Sequence, residues 1–435
     1  MRDPLPTFVE CLLECGSSHR WHAAAQLSQL SDRWRAAIAS WREGQTAISI
    51  TSIRSLGEWL DAWERPLLDA TAIRALVRDV PNCRSIQLLW LHVDTVGWRQ
   101  LFRWPRLTVL LLETCALERD RNHGGPREFD VDATATHLMC ARLESLSLWA
   151  CHPLSFNRIL DGIRASESLQ RLTLNLQAYT QARKDAPESR VSIDGTAMLH
   201  CLATIPTLTH LALYEMEAEE PKALSTALEV LCHSCMLTSF KVAECLALEE
   251  RCLGLFTLCP SLHTIEWGAR SSTSAVSRLL AGCAQLRELL LDERAFPIEE
   301  AAVLEIARLG GRLECLSLAN NQRLSDNAVL ALCGRHSHSQ YVGCPCLRRL
   351  DLSIDEDSDE GHDARSGPHQ LTDGSIGCLC DGTVLALPSL GEINLRGRSG
   401  ISIQLALALR EARPSLSVEW PQAVHEFMRR FSVIA

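Results

Sequence analysis

Apolar and polar positions alternate most legibly between Leu313 and Cys333, in the run L-E-C-L-S-L-A-N-N-Q-R-L-S-D-N-A-V-L-A-L-C. Leu313, Leu316 and Leu318 fall at L-x-x-L-x-L spacing, and Asn321 follows three places after the last leucine. The x-L-x-L part predicts a short strand, because alternate side chains of a strand share one face. Asn321 is placed to hydrogen-bond the backbone of the turn that follows. Leu324 and the polar Ser325-Asp326-Asn327 lead into Ala328–Cys333, which reads as a short capped helix. One such strand–turn–helix unit cannot bury its apolar side alone, so it needs neighbours.

The same spacing, or a close variant, starts at Cys83, Leu107, Leu143, Leu169, Leu208, Leu237, Leu262, Leu286, Leu347 and Leu390, with a truncated copy at Leu416. The closest starts lie 24 to 29 residues apart, which is the leucine-rich-repeat period. Further columns agree. Pro stands two places before the first leucine at Pro105, Pro206, Pro260, Pro345 and Pro388, and Cys three places before it at Cys140, Cys259, Cys283 and Cys344. Cys or Asn stands eight places after it at Cys115, Cys151, Cys245 and Asn321. These columns resemble the cysteine-containing class of leucine-rich repeats over roughly 80–420, and C344-P-C-L-R-R-L-D-L nearly completes that pattern. The expected fold is therefore a right-handed α/β leucine-rich-repeat solenoid, with parallel strands on the concave face and helices on the convex face. Helices with apolar faces are expected at Leu224, Leu228 and Leu231, at Val276, Leu279 and Leu280, and at Val303, Ile306 and Ala307. The array is expected to occupy 81–435, with loop insertions near 116–140, 178–195 and 353–375.

Upstream the pattern changes. Eight of the eleven tryptophans lie before residue 105, so the N-terminal part is built differently. Residues 1–45 show helical spacing at Phe8, Val9, Leu12 and Leu13, a Gly16-Ser17-Ser18 break, and a second helical run from Trp21. Residues 46–80 carry a strand-like A47-I-S-I-T and a helical stretch around Ile73, Leu76 and Val77, which together read as an irregular first repeat. The layout of Leu5-Pro6, short helices and Arg33-Trp34-Arg35 resembles an F-box, although Thr7-Phe8 stands where that family usually carries an acidic residue. The resemblance implies docking on the adaptor of a cullin–RING ubiquitin ligase, with Leu5, Pro6, Leu13 and Trp34 as adaptor-docking residues. The other reading of 1–45 is a helical cap that covers the first repeat.

Composition narrows the function. The chain has 435 residues, 46% of them hydrophobic, and a net charge of −10. That acidic balance argues against a general nucleic-acid or anionic-membrane binder. Asp3, Glu10 and Glu14 argue against a secretory signal. Nineteen cysteines without such a signal point to free thiols in a reducing compartment, cytoplasmic or nuclear. Neither a glycine-rich phosphate loop nor a G-x-S-x-G, H-E-x-x-H or kinase signature is found, so the expectation is a non-enzyme without a cofactor. Asp355, Asp357 and Asp359 begin a calcium-loop spacing, but Gly361 comes one place late and Ser366 replaces the bidentate Glu. A solvated charge run is the reading there. Cys344, Cys346, Cys378 and Cys380 form C-x-C pairs, tighter than the C-x-x-C pairs of structural zinc sites, and no metal site is assigned to them.

What remains is surface. Positions 3, 5 and 7 of each unit are expected to face outward on the concave side of the curved sheet, and this face carries Trp149, Arg171, Asn175, His210, Tyr214, Lys241 and Glu266. Farther along it carries Glu288, Asp292, Arg349, Asp351, Asn394 and Arg396. Mixed charges with a few aromatics suit a protein partner, and Trp149 and Tyr214 are the anchor candidates. Two functions follow: the substrate-recognition subunit of a ubiquitin ligase, or a repeat scaffold of an intracellular assembly with no ubiquitin role.

Overall fold

The structure, a computed structural model, describes residues 47–51, 67–68, 70–89, 92–93, 100–101, 104–113, 116–117, 142–149, 163–164, 166–175, 195–214, 220–243, 245, 248–291, 298–321, 323–335, 341–354, 371–380, 387–422 and 424–425. The chain divides into two compact units, 1–193 with 204–208, and 194–203 with 209–435. The 1–45 segment, with Leu5, Pro6, Leu13 and Trp34, lies outside the described residues, as does most of each predicted insertion.

In the first unit, β1 (Ala47–Thr51) is followed by β2 (Leu67–Leu68), α1 (Ala70–Asp79), β3 (Ser85–Leu89), β4 (His92–Val93), β5 (Val109–Glu113), β6 (Ala116–Leu117), β7 (Ser145–Trp149) and β8 (Arg171–Asn175). β1, β3, β5, β7 and β8 pair in parallel and without stagger, so that Ser85 faces Val109, Val109 faces Ser145 and Ser145 faces Arg171. The short β2, β4 and β6 form a second parallel ladder. The irregular first repeat therefore does contribute its expected strand and helix. Strand burial follows the period of two: Leu146 and Leu148 of β7 are buried, while Ser145, Ser147 and Trp149 are half-buried. Trp104 belongs to the core, and its indole N–H donates to the Val80 carbonyl at 2.8 Å, which gives its polar end a partner.

In the second unit, α2 (Gly195–Leu202) precedes β9 (His210–Tyr214), α3 (Pro221–Ser234) and β10 (Ser239–Ala243). A 3-10 helix (Glu250–Leu258) leads to β11 (Thr264–Gly268), α4 (Thr273–Gly282), β12 (Glu288–Leu290), α5 (Glu300–Leu309), β13 (Cys315–Ser317) and α6 (Asp326–Leu332). β14 (Arg349–Asp351), α7 (Asp373–Ile376), a 3-10 turn (Gly377–Cys380), β15 (Glu392–Asn394), α8 (Ile403–Ala412) and β16 (Ser417–Glu419) complete it. All eight strands pair in parallel with their sequence neighbours. The apolar faces expected at Leu224, Leu228 and Leu231, at Val276, Leu279 and Leu280, and at Val303, Ile306 and Ala307 are all buried. The segment leading from β10 to β11 is a 3-10 helix rather than an α-helix, and its Phe256 meets Trp267 of β11 edge to face at 6.0 Å.

Three ladders hold the repeats of the second unit together. At the strand starts, one carbonyl accepts two N–H groups from the next repeat: His263 and Thr264 donate to Thr238 O, Arg287 and Glu288 to His263 O, and Glu314 and Cys315 to Arg287 O. At the helix ends, buried cysteine thiols donate to carbonyls of the preceding repeat. Cys235 Sγ donates to Leu202 O at 3.7 Å, Cys259 Sγ to Cys232 O at 3.5 Å, and Cys283 Sγ to Phe256 O at 3.2 Å. Burial pushes the Cys235 thiol up to about 11 and those of Cys283 and Cys344 up to about 12, so these groups stay protonated donors. Every described cysteine is a free thiol. At the helix starts, Ser272, Ser325 and Ser402 cap α4, α6 and α8 by accepting from Ala275, Ala328 and Leu405 N–H. The Asp326 carboxylate also accepts from the Thr372 backbone at 2.9 Å and its hydroxyl at 2.5 Å, tying α6 to α7.

A fourth device was not anticipated. Arg398 sits eight places after Leu390, in the column held elsewhere by Cys or Asn. It is buried, and its guanidinium donates to Leu352 O through Nε and, at 2.9 Å, to Asn321 O through Nη2. One side chain thereby joins three consecutive repeats. Asn321 is fully buried and its Oδ1 accepts from Arg323 N at 3.1 Å, the turn contact its spacing implies. Gly397, which aims Arg398 inward, has φ +72, and a Cβ there would strike the Ile354 carbonyl, so this turn requires glycine.

Candidate functional site

The strands place their odd repeat positions in three rows on the side away from the buried leucines. In the first unit, the Trp149 indole N–H donates to Ser147 Oγ at 2.8 Å on the same strand, which fixes the ring along the rows. The register sets Trp149 beside Asn175 and Ser147 beside Thr173, with Arg171 exposed at the edge of the described face. Val109 and Leu111 also face outward and are half-buried, an apolar contribution that sequence reasoning missed. In L-T-V-L-L-L the apolar run is continuous, so no polar residue marks which positions point out.

In the second unit, Thr209 Oγ1 lies 2.8 Å from His210 Nδ1. Lys241 Nζ sits 5.1 Å from the Tyr214 ring centroid and 2.5 Å from Glu266 Oε1. Burial works against the charged form of Lys241, but its hydrogen bonds to Glu266 and Tyr214 outweigh this and its pKa is raised. The cation–π contact and the ion pair together hold an aromatic, a cation and an anion in a fixed line across three strands. Farther along, Glu288 is exposed and accepts from Thr264 Oγ1 at 3.0 Å. Arg349 Nε pairs with Glu392 Oε2 at 2.9 Å.

The remaining candidate residues separate by role. Asp351 accepts from Ser353 N at 3.0 Å and Asn394 from Arg396 N at 3.1 Å, so each gives one oxygen to the turn after its strand. Arg396 lies in that turn and is exposed. Asp292 lies outside the described residues. Leu290 and Cys315 face outward on β12 and β13 and were also missed, hidden in L-L-L and in L-E-C-L. Cys344, Cys346, Cys378 and Cys380 do not converge. Cys344 is buried with its Sγ aimed at Ile306 O, Cys346 is exposed, and the thiol beside Cys378 is Cys333. Among the described residues, no group of three or more His, Cys, Asp or Glu side chains is placed to hold a metal ion, and no helix is long and apolar enough to cross a membrane.

No protein-family model matches the chain, and no curated protein matches it. Among solved structures, it is similar to a chain in the yeast Rad7–Elc1 complex, at 17% identity and a TM-score of 0.52, covering 80% of this chain and 77% of that one. It is also similar to an internalin from Listeria monocytogenes, at 13% identity and a TM-score of 0.42, covering 91% and 92%. At such identity the first likeness speaks for the fold alone. Repeat columns, parallel strands, covering helices and this likeness agree on one architecture, an α/β leucine-rich-repeat solenoid.

Proposed function

We propose that this chain is a non-catalytic protein-interaction protein that holds a protein partner on its outward strand face, and that it serves as the substrate-recognition subunit of a cullin–RING ubiquitin ligase. The observation that carries the first part is the division of the strands, broken in β13 at Ser317, which is buried. Even positions are buried leucines and their equivalents, while odd positions carry Trp149, Tyr214, Lys241, Glu266, Glu288 and Arg349, groups that the packing of the repeats does not require. Aromatic and paired charged groups held on a rigid sheet suit protein recognition. The ligase role rests on the F-box resemblance of Leu5, Pro6, Leu13 and Trp34, and it draws support from a fold shared with a chain in the Rad7–Elc1 complex. Such a subunit raises the effective concentration of its target beside the ligase and needs no catalytic residue of its own.

The test is recovery of partners with the tagged full chain from its own cell extract. Cullin-ligase components are expected with the wild type, and Leu5→Ala with Pro6→Ala should lose them while leaving thermal unfolding unchanged. Trp149→Ala and Tyr214→Ala should keep the ligase components and lose target proteins. Recovery of other partners without any cullin-ligase component would make this chain a repeat scaffold.

A further inference from the structure

The outward face of the second unit is not uniform in charge. Lys241 and Arg349 are each held by their own carboxylate, Glu266 at 2.5 Å and Glu392 at 2.9 Å. Between them, β12 and β13 carry Glu288, Leu290 and Cys315. The register puts Leu290 directly between Glu266 and Ser317, and Glu288 directly between Thr264 and Cys315. Among the described residues no Lys or Arg pairs with Glu288; its partner is the Thr264 hydroxyl. The centre of this face is thus a half-buried leucine flanked by the Glu288 carboxylate, which no described Lys or Arg pairs with, and by the Lys241–Glu266 ion pair.

Cys315 acts as an independent probe of the field there. Burial raises its pKa first, and Glu288, Asp351 and Glu392 push the same way against Arg349 alone. Three carboxylates and one cation therefore bear on this position. The carboxylates stand on separate strands, which parallel pairing keeps about 4.8 Å apart, and they do not close around one point as a metal site would.

We infer that the β11–β14 face docks an extended basic segment of a protein partner, one that presents an apolar side chain to Leu290 and flanking lysine or arginine side chains to Glu266 and Glu288. This rests on the reading of the strand face as a protein-binding surface and adds the chemistry of what it binds. Charge complementarity selects the sign, because an acidic segment would meet the Glu288 carboxylate, which no described Lys or Arg pairs with, beside the apolar spot. An extended partner lying along β12 repeats its one-face side chains every two residues, the same spacing that separates Glu288 from Leu290 on that strand.

The experiment uses the full chain and a fluorescein-labelled nonapeptide in which lysine and arginine alternate with alanine around a central leucine. A second peptide has every cation replaced by glutamate, and a third has the central leucine replaced by serine. Fluorescence anisotropy should show binding of the first that weakens as salt is raised, weaker binding of the third, and none of the second. Glu288→Gln should weaken the basic peptide about two- to fivefold, and Glu266→Gln with Glu288→Gln roughly tenfold, with thermal unfolding unchanged. Equal binding of the basic and acidic peptides, or no loss in a folded double variant, would overturn the inference. The parent reading is judged separately by partner recovery. If Tyr214→Ala releases cellular partners while the basic peptide never binds, the strand-face reading stands and this inference fails. Partner recovery indifferent to Trp149→Ala, Tyr214→Ala and the double variant would remove both.

Discussion

Replacing Arg398 with alanine removes a cation that two repeats use as a hydrogen-bond donor. The guanidinium donates to Leu352 O and Asn321 O, and a hydrogen bond to a charged group is worth about 1.5–3 kcal/mol. Two of them make a gross contribution of about 3–6 kcal/mol. Against this stands the cost of burying the charge. Arg398 is 3% exposed, and burial pulls its guanidinium down to about 10, with Asp351 restoring part of the loss. That depression corresponds to roughly 3 kcal/mol. Alanine relieves the burial cost, leaves two carbonyls without these donors, and empties the space of the aliphatic stem. The balance is a net loss of about 2 kcal/mol. Methionine keeps the stem volume and should lose less, while lysine, with one compact ammonium, cannot reach both carbonyls in the same way. Urea unfolding followed by circular dichroism would read this as a lower midpoint at constant slope. An alanine variant as stable as the wild type would show that the charge was tolerated for another reason and that the cross-repeat clamp contributes nothing.

Leu316→Asp places a carboxylate in a fully buried position between neighbouring strands and should cost several kcal/mol, on the order of an unpaired buried polar group or more; unchanged thermal unfolding would show that the strand register is wrong. Asp326 supplies a pH dependence. Burial opposes its ionisation, but hydrogen bonds from Ser375 and Thr372 outweigh this and hold its pKa below the usual aspartate range. Its contribution is thus present at neutral pH and lost as pH falls below about 4, the ordinary aspartate value, and through the lower folded value. Asp326→Asn should lower the urea midpoint at pH 7, and the difference from wild type should shrink near pH 2.5; a difference that stays constant with pH would refute the assignment.

The repeat architecture was legible because its cause is local. Leu146 and Leu148, or Leu350 and Leu352, are buried by the same two-residue period that spells them in the sequence, and Ser325 caps the helix that its position announces. The outward face was legible where a polar residue interrupts the apolar run, as at Lys241 and Glu266, and was lost at Val109, Leu111 and Leu290, where nothing polar marks the direction. Arg398 was missed for a different reason. The column at that position looks like a choice of side chain, Cys or Asn, but what the fold requires there is a donor to the carbonyls of earlier repeats. A long guanidinium meets that requirement from 46 and 77 residues away in sequence, and no spacing rule within one repeat contains that distance. The 3-10 helix Glu250–Leu258 was equally hidden, since its apolar residues have ordinary helical spacing.

The paired amides at each strand start have a consequence for how such a chain can change over time. One carbonyl receives two consecutive N–H groups from the following repeat at each described step from Thr209 to Gly391, save the last, where Ser417 alone donates to Gly391 O. Each strand is therefore pinned at its first residue, whatever length of chain intervenes. The spacing between starts grows from 24 residues, Leu262 to Leu286, to 43 residues, Leu347 to Leu390, yet Glu288 and Cys315, or Arg349 and Glu392, still stand directly opposite. Length variation is absorbed entirely between strands, and the outward positions keep a constant pitch. Outward side chains and loop lengths are thus set independently of each other by this architecture. Substitution at one outward position therefore leaves the buried leucines and the strand register unchanged.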